Sequence, residues 1–120
     1  MHELSLADAV VTIVRDHARG RRVTAVDVKV GRLRQVVPDA LTFAFELVAT
    51  GTNVEGAALN IEHVPVRVRC SVCGTEGEQD EFPFACTHCG ALVVDVLSGD
   101  ELEVEAVELA QEPALSVGGR

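Results

Sequence analysis

The chain has 120 residues, 48% of them hydrophobic, which is material for one domain with a small appendage. With no Trp or Tyr and only four Phe, its core must be built from Val, Leu, Ile and Ala. A net charge of −9 and the lack of base-stacking Trp and Tyr argue against a nucleic-acid partner. No apolar run approaches the roughly 20 residues of a membrane span, and M-H-E-L-S-L lacks the basic stretch of an export signal, so a cytoplasmic protein with reduced cysteines is expected.

Ser5 and Asp8 have the form of a capping box, so a helix is expected from Ser5. Leu6, Val10, Ile13, Val14 and His17 give it one apolar face, with His17 as a packing residue, and Gly20 ends it. Met1 to Leu4 then stand outside the helix as a leader. Val23 to Val30 alternates, with Val26, Val28 and Val30 facing one way and Asp27 and Lys29 the other, which is a half-buried strand that Gly31 breaks. Pro38 suits the first turn of a second helix, and Asp39 suits the positive end of its dipole. Leu41, Ala44, Phe45 and Val48 form the buried stripe, and Gly51 closes it. A second alternating run, Ala57 to His63, points Leu59 and Ile61 inward and makes His63 a packed strand-end residue.

Val66 and Val68 then lead into a cysteine-bearing segment, and Leu92, Val93, Val94 and Val96 lead out of it. Phe82-Pro83-Phe84 reads as its apolar plug. Ser98-Gly99-Asp100 turns the chain into a last strand, with Leu102, Val104 and Ala106 inward against Glu101, Glu103 and Glu105. From Ala110 there is no period, and residues 110–120 read as a disordered tail. The expected fold is α/β: two helices packed on a three-stranded sheet, with an inserted zinc-ribbon subdomain. The expected units are residues 1–65 plus 98–109 and, for the ribbon, 66–97.

Cys70, Cys73, Cys86 and Cys89 form two C-x-x-C knuckles separated by twelve residues, a spacing that gathers four thiolates around one tetrahedral Zn(II). Gly74 and Gly90 each follow a knuckle's second cysteine, where the chain turns tightly. Four sulfurs leave no open coordination position, so the zinc is structural rather than catalytic. His88, inside the second knuckle, reads as an exposed residue. No nucleophile–base or paired-carboxylate spacing is apparent, so the chain is not expected to be an enzyme.

The N-terminus offers a second donor set. The Met1 amine, the His2 amide nitrogen and His2 Nδ1 can close a five- and a six-membered chelate ring on one ion. Glu3 can complete the set through its amide nitrogen or its carboxylate, as can a group from elsewhere. Nitrogen-rich planar coordination suits Ni(II) or Cu(II). An exposed site whose donors must lose protons suits a carrier that releases its metal.

M-H-E-L-S-L, V-x-V-x-V-G at residues 26–31, P-D-A-L-x-F-A-F-E at 38–46, the paired C-x-x-C motifs and S-G-D-E-L at 98–102 occur in that order. This chain resembles the hydrogenase-maturation nickel metallochaperone family (HypA/HybF) over residues 1 to about 109. The resemblance implies Ni(II) at His2 and Glu3 with the Met1 amine, and structural Zn(II) at the four cysteines. It also implies delivery of nickel for maturation of nickel–iron hydrogenase, with a nickel-handling maturation GTPase and the hydrogenase large-subunit precursor as partners. In some members urease maturation proteins are served as well. Some members place a further carboxylate near the nickel from the start of the second helix, and Asp39 is the nearest candidate here. The competing readings are a zinc-ribbon nucleic-acid module that uses the basic stretch from Arg15 to Arg34, and a thiol-redox module that uses the C-x-x-C pairs.

Overall fold

Helix formation begins earlier than the capping motif suggests. In the computed structural model, which describes residues 2–79 and 84–111, helix α1 runs His2–Ala18. The expected leader therefore does not exist from His2 onward, and Ser5 lies inside the helix. Tertiary contacts replace the box: the His2 and Glu3 side chains both reach the segment 34–37, which holds the first turn in place. Glu3 also sits where a carboxylate complements the helix dipole. The buried face is Leu6, Ala7, Val10, Val11, Val14 and Ala18. Ile13 is 42% exposed, and His17 is exposed rather than packed, with Nδ1 3.0 Å from the Ile13 carbonyl. Both lie off the stripe because Ala7, Val11 and Ala18 turn the helix about its axis. Arg19 and Gly20, both at positive φ, stop it.

Strand β1 (Val23–Gly31) buries Val23, Val26, Val28 and Val30. A 3-10 turn, η1 (Arg32–Arg34), leads to α2 (Pro38–Ala49), with Pro38 in its first turn and Leu41, Ala44, Phe45 and Ala49 buried. Strand β2 (Ala58–Val64) pairs parallel to β1, which makes α2 a crossover helix. The ribbon follows with β3 (Arg67–Cys70), β4 (Glu76–Glu78) and β5 (Val94–Ser98). Strand β6 (Leu102–Leu109) returns antiparallel to β1. One sheet has the order β2-β1-β6 and the other β4-β3-β5. The chain is thus an α/β fold of two helices on a three-stranded sheet, carrying a four-cysteine ribbon between β2 and β6.

The helices cover one face of the first sheet. The opposite face is polar, with Lys29 Nζ 2.9 Å from Glu105 and Asn60 Nδ2 donating to Asp27 Oδ1 at 2.7 Å. Two sequence expectations fail at the edges of this sheet. On β6, Asp27 pairs with Ala106 but Val28 pairs with Val104, so Glu105 is an extra residue. The bulge resets the alternation: Leu102, Val104, Val107 and Leu109 pack on the core, and Ala106 turns outward. His63 follows the half-buried Leu59 and Ile61 on the same face of β2, yet at the strand end it is exposed rather than packed.

The ribbon has its own small core of Val66, Val68 and Phe84, against which Val94 and Leu33 pack. Leu92, Val93 and Val96 are exposed. The Phe82–Pro83 part of the plug lies outside the described residues, as do residues 112–120 of the tail. Ala110 N donates to Arg22 O at 2.8 Å. Where the two sheets meet, Gly31 and Gly99 pass so closely that a Cβ on Gly31 would stand 2.0 Å from Gly99 O.

Candidate metal centres

The two knuckles have the same local construction. Cys70 O accepts from Gly74 N at 3.0 Å, and Cys86 O accepts from Gly90 N at 2.9 Å. Gly74 and Gly90 both take φ 78°, which L-residues with a side chain rarely adopt. Each turn aims two backbone N–H groups at its first sulfur. Val72 N and Cys73 N lie 3.3 and 3.4 Å from Cys70 Sγ, and His88 N and Cys89 N lie 3.3 and 3.4 Å from Cys86 Sγ. These donors stabilise thiolate charge. Cys70 and Cys86 are buried, whereas Cys73 and Cys89 are exposed.

The four sulfurs lie within 4.8 Å of one another, with Cys70–Cys89 at 3.6 Å and Cys73–Cys86 at 3.5 Å. A tetrahedron with metal–sulfur bonds of about 2.3 Å has edges of about 3.8 Å, so the cluster is already near the size a zinc ion requires. The spacing also resists a shared negative charge. The Cys73 thiol is pushed down to about 6 by Thr75, first through its hydroxyl, 3.2 Å from Cys73 Sγ, and then through its backbone. The Cys70 thiol is lowered, chiefly by the Cys73 N–H. At Cys89 the Ala91 backbone pulls downward, but the neighbouring thiols, Cys70 first, and partial desolvation of the sulfur outweigh it and push the group up to about 11. A divalent cation would displace the thiol protons that remain. Gln79 braces the second knuckle, accepting from Ala85 N at 3.0 Å and donating to Ala85 O. Arg67 and Arg69 are paired with Glu76, and Arg67 also with Glu78, all within 4 Å, so β3 presents no uncompensated cation.

The second donor set lies at the start of α1, beside the segment 34–37 that follows β1. Because α1 starts at His2, the His2 and Glu3 amides fall in its first turn and lack intrahelical acceptors. The His2 side chain is fixed: Nε2 lies 2.8 Å from Arg34 O. A carbonyl can only accept, so Nε2 carries the proton and a neutral imidazole leaves Nδ1 bare. Glu3 Oε2 accepts from Val37 N at 3.2 Å, the first cause of its lowered carboxyl pKa. Val37 is the N-cap of α2, so Glu3 ties the start of one helix to the start of the other, with Asp39 in the same first turn of α2.

The structure brings the four cysteines together in the ribbon and places His2 and Glu3 side by side at the start of α1. His63 lines an open hollow with Arg32, Gln35 and Val36, and His88 is exposed on its knuckle. Three participants escaped sequence reasoning: the Arg34 carbonyl, the Val37 N–H and the Thr75 hydroxyl. Only Thr75, two residues beyond Cys73, left a signal in the sequence.

A family profile described as "Hydrogenase/urease nickel incorporation, metallochaperone, hypA" matches residues 1–109. The hydrogenase maturation factor HypA of Geotalea uraniireducens is 45% identical over 109 residues, covering 91% of this chain and 99% of its own. That of a Nostoc species is 35% identical over 111 residues, covering 92% and 97%. Among solved structures, the nickel metallochaperone HypA from Helicobacter pylori shares the fold with a TM-score of 0.67 at 22% identity, covering 93% of this chain and all of that one. The profile and the closely aligned relatives agree with the order of motifs and with the cysteine cluster: this chain belongs to the HypA family of hydrogenase/urease nickel-incorporation metallochaperones.

Proposed function

We propose that the chain binds Ni(II) at its N-terminus and delivers it during maturation of nickel–iron hydrogenase, while Zn(II) at Cys70, Cys73, Cys86 and Cys89 holds the ribbon. The observation that carries this reading is the arrangement at His2, whose Nε2 is engaged by Arg34 O and whose Nδ1 is left for a ligand, beside amides that no helix carbonyl claims. The positive end of α1 opposes a bare cation. Deprotonated amide nitrogens of His2 and Glu3, or the Glu3 carboxylate, would cancel that charge. Loss of those protons on binding makes release responsive to pH, as a carrier requires. Two units serve the two metals: residues 1–65 with 98–109 hold nickel, and residues 66–97 hold zinc. The chain acts as a carrier, not an enzyme, and its partners are a nickel-handling maturation GTPase and the hydrogenase large-subunit precursor. A cytoplasmic location, where those partners would mature, goes with this reading.

The zinc assignment is supported by the sulfur spacing and by the backbone N–H groups aimed at Cys70 and Cys86. The nucleic-acid alternative is weakened by the ion pairs of Arg67 and Arg69 and by the net charge of −9. The test is nickel titration of untagged, zinc-loaded protein against His2→Ala. Loss of tight nickel binding with one zinc retained is expected. Equal nickel affinity in the variant would place the nickel elsewhere.

A further inference from the structure

The turn η1 touches both metal-bearing parts of the molecule. Its Leu33 side chain packs against the ribbon core of Val66, Val68 and Phe84. Leu33 N donates to Gly99 O at 2.7 Å, and Arg34 Nε donates to Asp100 O at 3.0 Å. Both acceptors belong to the turn through which the ribbon rejoins the sheet. That turn is itself pinned, since Gly31 N donates to Glu101 O at 2.8 Å and Gly99 N to Glu101 Oε1 at 2.8 Å. The carbonyl of Arg34, fixed in this way from the ribbon side, is the group that accepts from His2 Nε2 at 2.8 Å.

We infer that Leu33 and Arg34 are positioning residues for nickel: anchored on the ribbon side, they hold the Arg34 carbonyl where it selects the Nε2–H tautomer of His2 and aims Nδ1 at the metal. The inference rests on the proposed N-terminal nickel site and adds to it the residues that orient its imidazole. An imidazole ligand presents one nitrogen only if the other is occupied, and a backbone carbonyl is a common partner for that second nitrogen. Without it, His2, which is exposed and begins its helix, would divide its time between tautomers and rotamers. Each nickel-binding event would then bear the cost of ordering the ring. Arg34 is no metal ligand in this scheme, and its guanidinium contributes only by fixing its own main chain. Leu33 acts one step further back, through the ribbon core.

The experiment uses the full-length, untagged, zinc-loaded chain with Leu33→Ala, Leu33→Met, Arg34→Ala and His2→Ala, and two readouts. Long-range proton–nitrogen NMR of the metal-free N-terminus reports the His2 tautomer, and titration with Ni(II) reports affinity. Wild type should show a single Nε2–H tautomer. Leu33→Ala and Arg34→Ala should each mix the tautomers and weaken nickel about 10-fold or more, the usual effect of losing a partner behind a metal-binding histidine, with zinc content unchanged. Leu33→Met, which keeps the volume, should restore both. If Leu33→Ala fails to fold, Arg34→Ala decides. Unchanged tautomer and nickel affinity in Arg34→Ala or a folded Leu33→Ala would overturn the inference, provided that His2→Ala abolishes binding. If His2→Ala binds nickel normally, the N-terminal site itself fails.

Discussion

Gly31→Ala should be among the most damaging single-methyl additions to this chain, for a reason unrelated to glycine flexibility. Gly31 takes φ −72° and ψ 148°, which alanine adopts freely. The obstacle is contact: the added Cβ would stand 2.0 Å from Gly99 O, 2.1 Å from Gly99 C and 2.5 Å from Asp100 N. All three atoms are backbone, and Gly99 is hemmed in on its other side by Val66, so the two strands must part by roughly 1 Å. Separation strains two hydrogen bonds, Gly31 N to Glu101 O and Leu33 N to Gly99 O, each worth about 1 kcal/mol net. Overpacking adds about 1–3 kcal/mol. The expected loss is about 3–5 kcal/mol, a large share of the 5–15 kcal/mol typical of a domain, and a fall in Tm of roughly 15 °C or more. Urea denaturation of zinc-loaded protein, followed by circular dichroism, measures it. Gly77→Ala is the control, because nothing lies within 4 Å of its Cβ and its φ is not positive. That variant should stay within about 1 kcal/mol of wild type. A Gly31→Ala protein as stable as the control would refute the close-packed junction.

Three further outcomes are expected. Cys70→Ser should lose zinc and leave the segment 66–97 open to protease while the helices and first sheet persist, because the buried cluster under α1 and α2 does not include the ribbon; limited proteolysis with metal analysis checks this. Glu3 has a folded pKa below its ordinary value near 4.5, chiefly through the Val37 N–H, so its contribution is present above that value and is lost as pH falls through the folded pKa. Glu3→Gln should accordingly flatten the acid limb of a stability–pH curve. Lys29 has the opposite sign: the hydrogen bond it donates to Glu105 raises its pKa above 10.5, so its contribution is full below that pH and is lost as pH rises through the folded value. Thermal melts of Lys29→Met between neutral and strongly alkaline pH should show a shallower alkaline decline than wild type.

Periodicity made the helices and the first two strands legible, since Val26, Val28 and Val30 are buried where alternation puts them and Pro38 starts its helix. The cysteine spacing made the metal cluster legible because knuckle geometry is local: four residues and a glycine determine where two sulfurs point. The start of α1 was not legible. Ser5 offers a sound local cap, but two long-range bonds, from His2 to Arg34 and from Glu3 to Val37, extend the helix to His2. The bulge at Glu105 was hidden for the same reason, because it depends on how β6 is matched to β1 rather than on the sequence of β6. His63 shows a limit of alternation: Leu59 and Ile61 suggested an inward series, but the strand end turned it to the surface. The Arg34 carbonyl, a main-chain group available at every residue, has no sequence signature at all.

X-ray absorption at both metal edges of untagged protein loaded with one nickel and one zinc tests the central claim most directly. The account predicts a nickel shell of nitrogen and oxygen donors with the signature of a planar site, and a zinc shell of four sulfurs at about 2.3 Å. Sulfur in the nickel shell, or a zinc shell with fewer than four sulfurs, would contradict it.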